Sequence, residues 1–300
     1  MPGRPYTITR RSFLDHGKRL NIHRVQRQEP VGQHRHEFFE IVVVLSGTGT
    51  HVTGTYRHHL QGGDIFVLNP RRTHGYEDCL SLNIINVLIR DDVLTRIGRS
   101  LGDLPGYHAL FHLESSRWRQ REYTSRLHLS PAELERVEEW VHRMEEEMRR
   151  GARAANLLQE ACLAFIIDLL CRHYERQNAP TRQHPVPSTP HRLGHLLSWI
   201  EKNLDRPLKI IHLAEQSGMS SRTFYRVFRT ALQVTPQAYL ARARMQRATE
   251  MLTDASHPLS ITEIALACGY GDSNYFTRCF RAATGQSPSA YRQQQGAARK

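Results

Sequence analysis

Cysteine is too sparse and too poorly spaced in this chain to build a disulfide framework. There are five in 300 residues (Cys79, Cys162, Cys171, Cys268 and Cys279), an odd number with no C-x-x-C pair. Reduced thiols in a cytoplasmic protein are the expected state. Long apolar runs are missing too. The most apolar stretch, Ala161 to Cys171, is short and carries Asp168, so no membrane span is expected. Met1 to Arg11 lacks the apolar run of a signal peptide. Nucleophile-elbow, phosphate-loop and paired-carboxylate motifs are also absent, and the expectation is a chain that is not an enzyme.

Positive charge is plentiful. The formal net charge is +12, and residues 191–300 hold 15 Lys+Arg against 7 Asp+Glu, a net of +8 in about a third of the chain. A polyanionic partner is the expectation, since surface charge of one sign raises the local concentration of the other; charge alone would suit a membrane surface equally well, so its concentration at the C-terminal end matters. The length suits two domains, each with its own core.

Residues 20–90 read as short strands broken by turns. Phe39 to Leu45 is a β-branched run ended by Ser46-Gly47, and Thr48 to Thr53 resumes it up to Gly54. Ile65 to Leu68 lies between Gly62-Gly63-Asp64 and Asn69-Pro70, and Leu82 to Ile89 forms another strand. Strands at this spacing predict an antiparallel sandwich or barrel. Ser130-Pro131 then opens a helix as N-cap and first residue. Its apolar positions Leu134, Val137, Val141, Met144 and Met148 form a seam that either pairs with a second copy or packs within its own domain. Ala154 to Tyr174 is a second, more apolar helix through Leu157, Leu158, Ala161, Phe165, Ile166 and Leu169. Pro180, Pro185, Pro187 and Pro190 mark an extended linker. The expected division is a sensing and dimerisation domain over 1–176, a linker over 177–190 and a helical domain over 191–300.

Past the linker the sequence repeats. Leu208, Ile210, Leu213, Ala214 and Gly218 recur 51 residues later as Leu259, Ile261, Ile264, Ala265 and Gly269. Arg226, Phe228, Pro236 and Tyr239 recur 52 residues later as Arg278, Phe280, Pro288 and Tyr291. Each copy predicts helix, tight turn, helix: the alanine allows close approach, and the glycine takes the positive φ that ends the first helix. Ser220 or Ser221 caps the second helix of one copy, and Asp272 or Ser273 that of the other. Phe224, Val227, Phe228, Phe276 and Phe280 face inward, leaving Arg222, Tyr225, Arg226 and Arg229 outward in one copy. Asn274, Thr277, Arg278 and Arg281 are outward in the other. A helix laid in the major groove of double-stranded DNA reads base edges with such residues while nearby arginines hold phosphates. Residues 236–252 give a connecting helix of about 25 Å, able to present two reading helices to groove segments about 34 Å apart.

The stretches LAEQSGMSSRTFYRVFRTALQVTPQAYL and IALACGYGDSNYFTRCFRAATGQSPSAYR resemble the AraC/XylS transcription regulators, over residues 192–295. The resemblance implies one helical domain containing both helix-turn-helix units. It also implies that Arg222, Tyr225 and Arg226, then Ser273, Asn274, Thr277 and Arg278, meet DNA. The sensing half, from His36 through Asn86, looks most like that of the activators of rhamnose operons. In those activators acidic residues matching Glu263 and Asp272 touch the RNA polymerase sigma factor; alternatively Asp272 only caps its helix and Glu263 is merely exposed.

His34-x-His36-x3-Glu40-x6-Gly47, followed by Gly63-Asp64, Pro70 and His74, is similar to the cupin barrel, whose enzymes hold a metal at these four positions. It departs from the enzyme pattern: Pro70 and His74 are one residue closer than in P-x-G-x-x-H, and Gln28 replaces the leading glycine. His34 and His36 share a face of one strand, with Glu40 on it if the strand is unbroken. Three readings stay open: contacts to a small-molecule effector, of which a sugar is favoured; a divalent metal (Zn, Fe, Mn or Ni); or inherited structural histidines. The overall expectation is an α+β chain, a cupin-like barrel with flanking helices followed by an all-α domain of two helix-turn-helix units joined by a helix. It would act as a homodimeric, effector-responsive transcription activator. A cupin metalloenzyme with a DNA-binding tail and an effector-independent repressor are the alternatives.

Overall fold

Two long strands organise the first half of the computed structural model, which describes residues 6–9, 14, 18–70, 72–113, 126–151, 155–179, 188–254 and 259–297. In order the strands are β1 (Tyr6–Ile8), β2 (Leu20–Val25), β3 (Val31–His36), β4 (Phe39–Thr53), β5 (Tyr56–Gln61), β6 (Asp64–Leu68), β7 (His74–Ile89) and β8 (Arg126–His128). The sheet runs β1-β3-β7-β4-β6-β8, with β2 also on β7 and β5 also on β4. Among the described residues only β1 and β3 pair in parallel. Because β4 pairs with β7 and, along its length, with both β6 and β5, the sheet folds over on itself as the cupin-like half of an α+β chain.

The expected break at Ser46-Gly47 is instead an irregularity inside one fifteen-residue strand. Pairing with β7 continues through shifted register at Ser46↔Asn83 and Thr48↔Leu80. Gly47 has φ +79°, and a Cβ there would lie 2.1 Å from the Ser81 carbonyl oxygen. A glycine thus reads as a turn in sequence while serving as a bulge. Likewise the strand expected to begin at Leu82 begins at His74. Ile41 to Val44 is uninterruptedly apolar because both faces are covered: Val42 and Val44 join Leu60, Phe66, Leu68, Leu82 and Ile84 inside, and Ile41 and Val43 are fully buried at the opposite parity.

Helices Asp91–Leu101, Pro105–Phe111, Pro131–Arg150 and Ala155–Asn178 accompany the sheet. Ser130 forms a full capping box with Glu133, with Pro131 in the first turn and Gly151 ending the helix in the left-handed region. Val137, Val141 and Met144 on this helix are fully buried, and it packs along Ala155–Asn178. The middle of the seam is therefore spent within the chain, with Leu134 and Met148 half-buried at its ends, and Val141 and Met144 cannot form the face of a dimer. On the second helix Leu163, Ile166, Ile167 and Leu170 face inward, while Leu157 and Phe165 are 72% and 57% exposed. Most of the proline-rich linker lies outside the described residues; Pro190 falls in the first turn of helix Thr189–Lys202.

The chain divides into two compact units, Met1–His195 and Leu196–Lys300. In the second, helices Ile210–Gln216 and Ser221–Leu232 form one helix-turn-helix and Ile261–Ala267 with Ser273–Thr284 the other, joined by Pro236–Thr253. Phe228 meets Tyr239 edge-on at 5.7 Å between ring centres, and Phe280 meets Tyr291 in the same way at 5.6 Å. The repeat in sequence is thus a repeat in packing. Pro236–Thr253 has 18 residues, about 27 Å of helix. Among the described residues no helix is long and apolar enough to cross a membrane.

Candidate functional site

The first site is built on the inner face of the sheet, where β7 lies between β3 and β4. His34 pairs with His74 and His51 pairs with Tyr76, so alternate residues of three strands converge. His34, His36, Glu40 and His74, all singled out from the sequence, are buried there. The strand is not unbroken between His36 and Glu40; a bend at Glu37 and Phe38 brings Glu40 back, with Oε2 3.0 Å from His36 Nε2 and 3.8 Å from His74 Nε2. Each imidazole is held through Nδ1 by a backbone carbonyl: His34 to Gly32 at 3.1 Å, His36 to Phe38 at 2.6 Å and His74 to Arg72 at 3.4 Å. A carbonyl only accepts, so each Nδ1 carries a proton and Nε2 is the ring atom left to meet Glu40 or a ligand. Burial, reinforced by His36, His34 and His51, holds the His74 imidazole well below the usual histidine range, hence neutral.

His36, Glu40 and His74 bring ligand atoms close enough to share a metal ion, whereas His34 falls outside that trio and stacks beneath Tyr6, 5.4 Å between ring centres. Two imidazoles and a carboxylate suit a divalent transition metal, so this trio fits one. The cavity in front of them measures about 270 Å³ and is walled by Val25, Val31, Phe38 and Leu88 as well as the polar groups.

Three further residues of this face escaped the sequence reading. His51 is fully buried with neither ring nitrogen hydrogen-bonded, 5.9 Å from the His74 ring, and burial holds it neutral. Tyr76 and Asn86 line the cavity, and Asn86 Oδ1 is buried without a partner. The signal that finds them is parity along β4 and β7, usable only once the bulges are known.

The second site is the outer face of the two reading helices. Ser220 caps Ser221–Leu232 by accepting from Thr223 N at 3.3 Å, and Asp272 caps Ser273–Thr284 by accepting from Asn274 N at 2.8 Å. Gly218 and Gly269 have φ +66° and +75°, as the turns require. Arg222, Tyr225, Arg226 and Arg229 are exposed in the first; Asn274 and Arg278 are exposed and Ser273 and Thr277 half-buried in the second. Phe224, Phe228, Phe276 and Phe280 are fully buried, and Val227 is half-buried. Tyr275, also unforeseen, is 53% exposed, with the Arg278 guanidinium 5.7 Å from its ring centre. Glu263 is exposed yet not idle: its carboxylate accepts from Ser260 N at 2.7 Å, and its own N donates to Ser260 Oγ, a capping box. Those bonds hold its carboxyl below the usual range.

Residues 22–184 match the AraC-like ligand binding domain, and residues 213–294 match a helix-turn-helix domain. The chain belongs to the AraC family. The HTH-type transcriptional activator RhaS of Escherichia fergusonii is 30% identical over 271 residues, covering 87% of each chain. Its namesake from Escherichia coli is 29% identical over 261 residues, again 87% of each. The solved DNA-binding domain of AdpA in complex with a target DNA is 31% identical, covers 36% of this chain and 96% of its own, and has a TM-score of 0.34. This AraC-family protein is a DNA-binding transcription regulator with a ligand-binding domain.

Proposed function

We propose that this regulator is a transcription activator whose effector, a small molecule of the sugar class, occupies the barrel cavity against His34, His36, Glu40 and His74. The observation that carries this is the convergence of polar groups on about 270 Å³: His36 Nε2 and Asn86 Oδ1 are buried without a hydrogen-bond partner, beside the Glu40 carboxylate and the His34 and His74 rings. A polyhydroxylated ring brings the donors these atoms lack, and Phe38, Val25 and Val31 cover its C–H faces. The relatives bearing the name of activator support the sign of regulation. The test is thermal unfolding of the full chain against a panel of monosaccharides. A ligand at 100 times its dissociation constant adds about 2.7 kcal/mol, and His36→Ala abolishes the shift. A divalent metal held by His36, Glu40 and His74 is the second reading, favoured by their convergent ligand atoms; stabilisation by metal ions and by no sugar selects it. Neither reading gives the barrel a catalytic role.

We further propose that Arg222, Tyr225, Arg226, Arg229, Ser273, Asn274, Thr277 and Arg278 meet double-stranded DNA. The functional division proposed is 1–176 for sensing and dimerisation, 177–190 as linker and 191–300 for DNA binding, in the cytoplasm. For the homodimer, the exposed Leu157 and Phe165, with Trp140 stacked on Phe165 at 5.6 Å, support a face distinct from the buried Val141 and Met144. Phe165→Asp yields folded monomers by sedimentation, and an unchanged dimer overturns that placement.

Glu263 and Asp272 flank the second turn, and we assign them to the sigma factor. Because Glu263 is half of a capping box, alanine tests two things at once. Glu263→Gln keeps the cap and removes the charge, as does Asp272→Asn. Both lower activation from a promoter-adjacent site with DNA affinity and melting temperature unchanged. Normal activation by both leaves these carboxylates as caps alone.

A further inference from the structure

Among the described residues, one group of side chains with the chemistry of metal ligands lies outside both sites. Glu175 sits near the end of helix Ala155–Asn178; His191 and His195, four residues apart, share a face of helix Thr189–Lys202. His195 Nε2 is 2.8 Å from Glu175 Oε2, His191 Nε2 is 3.5 Å from the same oxygen, and the two nitrogens are 3.2 Å apart. A tetrahedral zinc ion with bonds of roughly 2.0–2.1 Å sets its ligand atoms about 3.3 Å apart, and the three separations scatter about that edge.

We propose that Glu175, His191 and His195 form a divalent-metal site of the zinc class, with its fourth position open to water. Three further observations favour it. Glu175 Oε1 is buried with no hydrogen-bond partner, an orphaned carboxylate oxygen beside the triangle. His191 is buried and stacks on Tyr174 at 6.2 Å between ring centres, whereas His195 is half exposed and leaves the outer side to solvent. The helix is also seated closely, because a Cβ on Gly194 would lie 2.6 Å from the Pro105 carbonyl oxygen, so the two imidazoles are presented on a fixed surface.

All three ligands belong to the unit Met1–His195, and the helix that carries the histidines continues in sequence into the unit that holds the reading helices. The ion would close the chain between residues 175 and 191, across the proline-rich stretch. Without a metal the same atoms form a carboxylate–histidine hydrogen-bonded group, and the two states differ in whether zinc is bound.

The experiment titrates the full-length, chelator-treated protein with zinc against a chromophoric competitor. The double variant His36→Ala/His74→Ala removes the barrel trio and is expected to retain one zinc per chain at wild-type affinity. Adding His195→Ala to it lowers that affinity at least tenfold, and His195→Cys in its place, another zinc ligand, restores it. Cobalt in the double variant gives the visible bands of a tetrahedral ion, lost with Glu175→Gln. The proposal is overturned if the double variant binds no zinc, or if its zinc is indifferent to both His195→Ala and Glu175→Gln.

Discussion

The first reading helix, Ser221–Leu232, exposes three arginines (Arg222, Arg226 and Arg229) beside Tyr225; the second, Ser273–Thr284, exposes Arg278 and Arg281 beside Asn274. The helices before them differ too. Ile210–Gln216 starts at Lys209 with no side-chain cap, whereas Ile261–Ala267 starts at Ser260 with a full capping box. They end differently as well, since Gln233 takes the left-handed position in the first unit and Gly285 in the second. Inside, the units match: Phe224, Phe228, Phe276 and Phe280 are all fully buried. The two units keep what packs and share the outward Arg226/Arg278 and Arg229/Arg281, while Arg222/Asn274, Tyr225/Thr277 and the helix ends differ, because packing tolerates few residues and a surface many.

The largest expected effect tests that shared interior. Phe228→Ala and Phe280→Ala should each cost about 3–5 kcal/mol of unfolding free energy, as buried aromatic-to-alanine changes do. Denaturant titration checks it, and a cost below about 1 kcal/mol in one unit alone would break the equivalence of the cores. Next comes the outward face, at the arginine the two units share. Arg226→Ala and Arg278→Ala should each weaken operator binding by about 1–3 kcal/mol at a fixed salt concentration if the guanidinium forks read guanine. A loss confined to one base position assigns the arginine to base reading, and a uniform loss assigns it to phosphate. No loss in either would overturn the reading of these helices.

The repeat made the helical half legible because its constraints are local. A glycine at a positive φ, a serine cap and phenylalanines four apart state their roles within a dozen residues, and Gly218, Gly269, Ser220 and Phe276 are where the pattern places them. The barrel was legible only in part. His34, His36, Glu40 and His74 announced themselves by residue type and lie together. His51, Tyr76 and Asn86 did not, because strand bulges shift the register and parity cannot be carried across them from sequence. The Val137–Met144 seam was visible, but its occupant was not: a heptad face looks the same whether it meets a helix of its own chain or of another. Glu263 was legible as a charge and not as a cap, since its partner Ser260 lies outside the aligned repeat positions that drew attention.

A smaller effect concerns the unequal helix starts. Ser260→Ala removes the cap of the second unit and should cost about 1 kcal/mol. Lys209→Ser, with His212→Glu to complete a capping box in the first unit, should stabilise by a similar amount. Melting of the wild type and the two variants side by side decides it; no change on either side would mean that packing alone fixes these helices.

The smallest expected effect lies at the helix ends. Gln233 has φ +60° and Gly285 φ +80°, and nothing lies within 4 Å of a Cβ built on Gly285, so conformation alone is at issue there. A side chain in the left-handed region costs roughly 1–2 kcal/mol, set against roughly 0.5–1 kcal/mol for the extra unfolded-state freedom of glycine. Gly285→Ala should therefore lose about 0.5–1 kcal/mol. At Gln233 a further contact enters, because its Nε2 donates to the Thr230 carbonyl at 2.8 Å. That bond is exposed and sits at the low end of the ~0.5–1.5 kcal/mol range. Gln233→Ala loses the bond and keeps the strained φ; Gln233→Gly loses the bond and relieves it. The expected order at residue 233 is thus glycine near the wild type and alanine below both, with the glycine–alanine gap equal to that at residue 285 within about 0.3–0.5 kcal/mol. A gap present at one helix end and absent at the other would show that the divergence in this motif reaches the backbone as well as the side chains.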